Sequence, residues 1–139
     1  MLPQHHFAIS GVAVAAVAYA AYPEKSVMDI SKWALFGGVL SAAMDIDIVA
    51  LVILRSKKHE KLNHFRTIVN IFKDFKGFKD VMAETGVLKE GMISHLVLSS
   101  VLIALFYFFS RSYFIPAAIG VISHLITDLP NYARLIPKD

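Results

Sequence analysis

From Trp33 to Leu54 the chain runs for 22 residues with no charged side chain except Asp45 and Asp47. A helix needs roughly 20 predominantly apolar residues to cross a bilayer, so this stretch restricts the chain to folds that tolerate a spanning-length apolar helix. Phe7–Tyr22, Met92–Phe109 and Tyr113–Leu129 are further apolar stretches. The 139 residues are 56% apolar, above what a soluble domain of this size usually carries. The sequence therefore predicts an all-α integral membrane bundle forming a single membrane domain over residues 1–139. Four spanning helices are expected at about 7–22, 33–54, 92–109 and 113–129, with a basic amphipathic loop over 55–91.

Charge is concentrated in that loop, where nine of the fourteen Lys and Arg residues fall between Arg55 and Lys89. Leu62, Phe65, Ile68, Val69, Phe72, Phe75, Val81 and Met82 recur every three to four residues, with Lys73, Lys76 and Lys79 between them. This spacing predicts an amphipathic helix, broken or bent near Gly77, lying in the membrane interface. Thr85-Gly86 and Glu90-Gly91 read as turn and stop signals, Pro130-Asn131 closes the last span, and Ile136–Asp139 is a polar tail. Beside apolar spans, a basic cluster marks the cytoplasmic side or an anionic lipid surface. Membrane lipids are thus the expected partner, and nucleic acid is not.

With both termini on the loop's side, eleven basic residues lie inside, against Lys25, Lys32 and Arg111 outside. The expectation is a multi-pass cell-membrane protein whose termini and 55–91 loop are cytoplasmic. No Lys or Arg precedes Lys25, which argues against a cleavable signal peptide. The chain has no cysteine, so disulfides and thiolate metal sites are excluded. A homo-oligomer is allowed by this reading and not required by it.

A carboxylate at mid-bilayer costs at least ~2.5 kcal/mol, so Asp45 and Asp47 must be paired, protonated or coordinating a cation. Two residues apart, they point about 200° from each other on a regular helix. Both reach one site only if the helix is distorted; otherwise one binds directly and the other supports it or a second ion. His124 and Asp128, one helical turn apart, can aim at one point. Ile93-Ser94-His95-Leu96 repeats Ile122-Ser123-His124-Leu125 letter for letter, and His6 opens the first span. With His59 and His64 in the loop, all these residues map to the cytoplasmic half of the bilayer. Together they suggest a metal held by histidines and carboxylates. The residues alone also allow a protonated structural pair at Asp45 and Asp47, or histidines held in helix cores by Ser94, Ser123 and Thr127. A scaffold or ion-handling protein in which the same residues bind a metal structurally or relay protons is the alternative reading.

By motif order the chain resembles the membrane-bound metal-dependent hydrolases, the YdjM-like or LexA-binding inner-membrane-associated hydrolase family. His6-Phe7-Ala8-Ile9-Ser10 looks like that family's early histidine before an apolar helix. Met44-Asp45-Ile46-Asp47 matches its Pro-Asp-x-Asp motif without the proline. His59 and His64 keep the five-residue spacing of its His-Arg-Gly-x-Thr-His-Ser motif, with different flanking letters. Its Gly-x-x-Ser-His-Leu-x-x-Asp motif is complete at Gly120–Asp128, and Gly91–Ser99 repeats it with Ser99 in the carboxylate position. The family is distantly similar in ligand order to zinc-dependent phospholipase C and P1-type nucleases. The resemblance implies one or more Zn²⁺ ions held by His6, Asp45, Asp47, His59, His64, His95, His124 and Asp128. It further implies that Asp47 orients or deprotonates a water and that the substrate is a phosphoester, phospholipid head groups being the first class to consider.

Overall fold

The computed structural model describes residues 2–133; the polar tail expected at Ile136–Asp139 lies outside the described residues. Every regular element among them is helical. These are α1 (Pro3–Ala21), α2 (Val27–Ala43), α3 (Ile46–Arg55), a 3₁₀ turn (Glu60–Phe65), α4 (Ile68–Lys73), α5 (Phe75–Glu84), α6 (Val87–Phe109) and α7 (Arg111–Ala133). The expected all-α class holds. Among the described residues three stretches, Val27–Arg55, Val87–Phe109 and Arg111–Pro130, are long and apolar enough to cross a membrane, fewer than the four expected. α1 falls short because Pro3, Gln4, His5 and His6 occupy its first turn. The remainder, Phe7 to Ala21, rises only ~22 Å against a hydrocarbon core of ~30 Å.

Local chemistry moves several boundaries. Gly86 takes a left-handed φ of 74°, which ends α5 and lets α6 begin on the next residue. Glu90 and Gly91 therefore lie in the first turns of α6 instead of stopping a helix before Met92. α7 continues through Pro130, the expected stop, to Ala133. Ser110 alone separates α6 from α7, its carbonyl accepting from the Tyr113 N–H at 2.9 Å.

The expected amphipathic helix is cut into pieces, the break near Gly77 falling at Asp74 between α4 and α5. Thr67 and Asp74 cap α4 and α5, their side chains accepting from the N–H groups of Asn70 at 3.4 Å and Gly77 at 2.9 Å. Those caps satisfy amide donors that the first turn of a helix leaves open.

The chain divides into two compact units, the first built on residues up to Met44 with Leu98–Leu129 and the second on Asp45–Val97. In the first unit, α1 buries His6, Ser10, Val14 and Ala18, one residue every four. α2 buries Gly37, Gly38 and Ser41, and α7 buries Ala117, Gly120, Val121, His124 and Asp128. Polar and small side chains thus face inward, while Tyr19, Leu35, Phe108 and Phe109 are more than half exposed. That distribution inverts the soluble pattern and suits helices surrounded by lipid.

Backbones approach closely here. A Cβ on Gly120 would stand 2.6 Å from the Gly37 carbonyl oxygen, and one on Gly38 would stand 2.8 Å from that of Phe7. Because the opposing atoms are backbone, Gly120→Ala should force α2 and α7 apart at a cost of about 1–3 kcal/mol. Thermal melting in detergent checks this. Gly11→Ala, whose added methyl would meet the Ala34 oxygen at 3.3 Å, should cost less.

The second unit has a conventional apolar core of Val52, Leu62, Phe65, Ile71, Phe78, Met82, Val87, Leu88 and Met92. Gly91 is buried too, and a Cβ placed there would meet the Ile48, Leu51 and Met82 side chains at ordinary contact distances of 3.7–3.8 Å. On the surface, Arg55 Nε donates to Glu90 and Lys61 Nζ to Glu84, both at 2.7 Å.

Candidate metal centre

Gly120, His124 and Asp128 follow one another at intervals of four residues on α7, so they form one stripe. The glycine lets that stripe approach α2, and the two functional side chains are carried inward with it. Spacing of four likewise aligns His6 with Ser10 on α1 and Gly37 with Ser41 on α2. Within the first unit these stripes bring two imidazoles onto one carboxylate. His6 Nε2 stands 3.4 Å from Asp128 Oδ1, and His124 Nε2 stands 3.7 Å from Asp128 Oδ2. The two rings lie with centroids 4.0 Å apart. His6, His124 and Asp128 are each no more than 1% exposed.

Hydroxyl groups hold the far side of each ring. Thr127 Oγ1 sits 2.9 Å from His6 Nδ1 and donates its own hydrogen to the His124 carbonyl at 2.8 Å. Its oxygen is then left to accept from an Nδ1–H of His6. Ser41 Oγ lies 3.3 Å from His124 Nδ1, 2.7 Å from Ser10 Oγ and 3.5 Å from the His6 carbonyl. The Ser41 hydrogen can turn to either of the latter two and leave a lone pair for the His124 Nδ1–H. Ser10 and Ser123, joined at 2.6 Å, both reach the Gly120 carbonyl, at 3.3 and 3.0 Å.

With hydrogen on Nδ1, each ring presents the lone pair of Nε2 toward an Asp128 oxygen. Two imidazole nitrogens and a carboxylate so disposed form a donor set that a cation can bind.

Among the described residues, the group able to hold a metal ion is His6, Asp45, His124 and Asp128, whose ligand atoms all lie within 4.8 Å of one another. Asp45 is half-buried at the break between α2 and α3. The break forms without the proline of the Pro-Asp-x-Asp pattern. Met44 N–H turns back to the Ser41 carbonyl at 3.3 Å, and the α-helical ladder resumes with Val49 N–H on the Asp45 carbonyl at 3.3 Å.

Asp47 is used differently. Its Oδ1 lies 2.8 Å from Nδ1 of the fully buried His95, and its Oδ2 accepts from Ser94 Oγ at 2.5 Å. The repeated Ser-His-Leu letters thus serve two arrangements. His124 faces a carboxylate one turn along its own helix, whereas His95, followed one turn later by the buried Ser99, takes its carboxylate from α3. His59 precedes the 3₁₀ turn, and the exposed His64 packs edge-on against Phe65 with ring centroids 5.0 Å apart. Asp47, His59, His64 and His95 are not members of the four-residue group.

Ser10 and Ser41 escape a search for ligands by residue type, though both fall on the spacing-of-four stripes. Thr127 does support a histidine as the sequence allowed, but that histidine is His6, 121 residues away. Thr127→Val or Ser41→Ala should weaken metal binding by about 10–100-fold, the usual scale for outer partners of metal-bound histidines. Titration calorimetry of the purified variants checks it, and Thr127→Ser should restore most of the loss.

Comparison with protein-family models, curated proteins and solved structures gives no match for this chain.

Proposed function

We propose that this chain is a membrane-embedded, metal-dependent hydrolase that cleaves phosphoesters at the cytoplasmic face, with phospholipid head groups as the first substrate class. The observation that carries the reading is the pair of imidazole Nε2 atoms turned toward the two oxygens of one buried carboxylate. Nitrogen and oxygen donors without thiolate suit zinc, which we assign as the metal. His6, His124, Asp128 and Asp45 hold it. When bound, such an ion supplies Lewis acidity toward a phosphoryl group.

Asp47, oriented by Ser94 and His95, is assigned the role of positioning or deprotonating the attacking water. The motif order of the membrane-bound metal-dependent hydrolases implies a second ion held with the help of His95, His59 and His64. The excess of Lys and Arg between Arg55 and Lys89 supports a cytoplasmic connection between the spans that end at Arg55 and begin at Val87.

One observation favours a second reading, a membrane scaffold or ion-handling protein with a structural metal. Three of the four ligand residues are fully enclosed, and four protein ligands close a tetrahedral zinc site, whereas catalytic sites keep one position open. Half-buried Asp45 is the ligand whose departure would open such a position. The deciding experiment purifies the protein in detergent without chelator, measures zinc by mass spectrometry, and assays phospholipids and generic phosphodiesters. Zinc with turnover supports the hydrolase. Stoichiometric zinc without turnover on any phosphoester assigns the structural role, and absence of metal removes both readings.

A further inference from the structure

Apolar residues in the connection between α3 and α6 divide into two sets. Leu62, Phe65, Ile71, Phe78 and Met82 are buried in the core of the second unit. Ile68, Val69 and Phe72 are 58%, 60% and 44% exposed; at positions i, i+1 and i+4 they share the outer face of α4. Arg66 just before α4, Lys73 at its end and Lys76 at the start of α5 are all exposed. The core beneath is anchored on Val52 near the end of α3 and on Val87, Leu88 and Met92 in the first turns of α6. Val27–Arg55 ends and Val87–Phe109 begins beside this core, so the core is built on the ends of two helices long and apolar enough to cross a membrane.

We propose that the outer face of α4 docks on the anionic surface of the same bilayer. Ile68, Val69 and Phe72 enter the boundary between head groups and acyl chains, while Arg66, Lys73 and Lys76 engage lipid phosphates. The proposal rests on the reading that α3 and α6 belong to membrane spans. Charge complementarity selects this occupant: the basic rim matches acidic head groups, and the apolar centre matches the acyl boundary beneath them. A polyanion without acyl chains would use the rim and leave the three apolar side chains in water. The contact would keep the connection at the level where lipid head groups lie.

Because the chain has no cysteine, Val69→Cys offers a single attachment point for a nitroxide label, with Ile68→Cys as a second site if the first variant folds poorly. Val101→Cys, exposed within α6, reports on the span itself. Each labelled protein is reconstituted into nanodiscs of phosphatidylcholine with or without phosphatidylglycerol, and its accessibility to oxygen and to a water-soluble nickel chelate is measured. With the anionic lipid, the label at position 69 should be oxygen-accessible and shielded from nickel. Combining it with Arg66→Gln, Lys73→Gln and Lys76→Gln should lower the ratio of shielded to exposed label by about fivefold per charge removed.

Nickel access at position 69 while position 101 stays shielded overturns the docking proposal and leaves the spans intact. Nickel access at both positions overturns the spanning reading and the proposal with it. Equal shielding in the two lipid mixtures overturns the claim for acidic head groups. Dipolar broadening that vanishes on dilution with unlabelled protein assigns the face to a second copy of the chain, which also overturns it.

Discussion

His124→Ala should strip the centre of its metal and lower the melting midpoint in the same step. The ring is fully buried, its Nε2 faces Asp128, and its Nδ1 is held through Ser41 to Ser10. No other side chain is placed to substitute for it among the group's four members. Binding to the folded state alone, at free metal about 1,000 times Kd, contributes about 4 kcal/mol, on the order of 10 °C in midpoint for a domain of this size. Removing a buried ring also leaves a cavity, which is destabilising by itself.

A chelator separates the two effects. In the wild type it should lower the midpoint by the metal's share, and in His124→Ala it should change nothing. An indifferent response in both proteins, with no zinc found in either, would mean that the cluster is an internal hydrogen-bond network and not a metal centre.

What the sequence discloses of this site follows how far each contact reaches. His124 and Asp128 are legible because a single helix makes their pairing, and the cost of a carboxylate inside an apolar run points to Asp45 and Asp47 without any structure. Which partner each takes is not legible. Nothing at Met44-Asp45 announces a helix break, for neither glycine nor proline is present; the turn there parts two carboxylates that the motif joins. Likewise Ser94-His95 and Ser123-His124 are identical in letters, yet the carboxylate at one comes from α7 itself and at the other from α3.

Hydrophobic periodicity over 62–82 is real, but periodicity does not say what lies on the far side of an apolar face. Most of it went to an internal core, leaving only the α4 face outward. For α1, the apolar run is visible and its polar first turn equally so. That turn carries His6 inward to Thr127 and Asp128, so one of the residues that shorten the helix as a span also furnishes the site.

Asp45→Asn and Asp47→Asn should differ in kind, and the difference separates a hydrolase from a scaffold. Asp45 belongs to the group able to hold an ion; its amide keeps the shape, loses the charge and should release metal. Asp47 accepts from Ser94 and faces His95, so Asp47→Asn should retain zinc in the four-residue centre. Its amide nitrogen, unlike a carboxylate oxygen, cannot accept a proton from water, and turnover should fall by ~10²-fold or more, the usual scale for general acid-base catalysis. The measurement is paired, zinc content beside hydrolysis of a phosphodiester, for wild type and both variants under one preparation. Loss of zinc in Asp47→Asn with retention in Asp45→Asn would exchange the two roles. Hydrolysis undiminished in both variants would assign the activity to a contaminant. A zinc-replete wild type that turns over no phosphoester would leave Asp47 with a positioning role only, fixing His95 and Ser94 across α3 and α6 in a protein whose metal is structural.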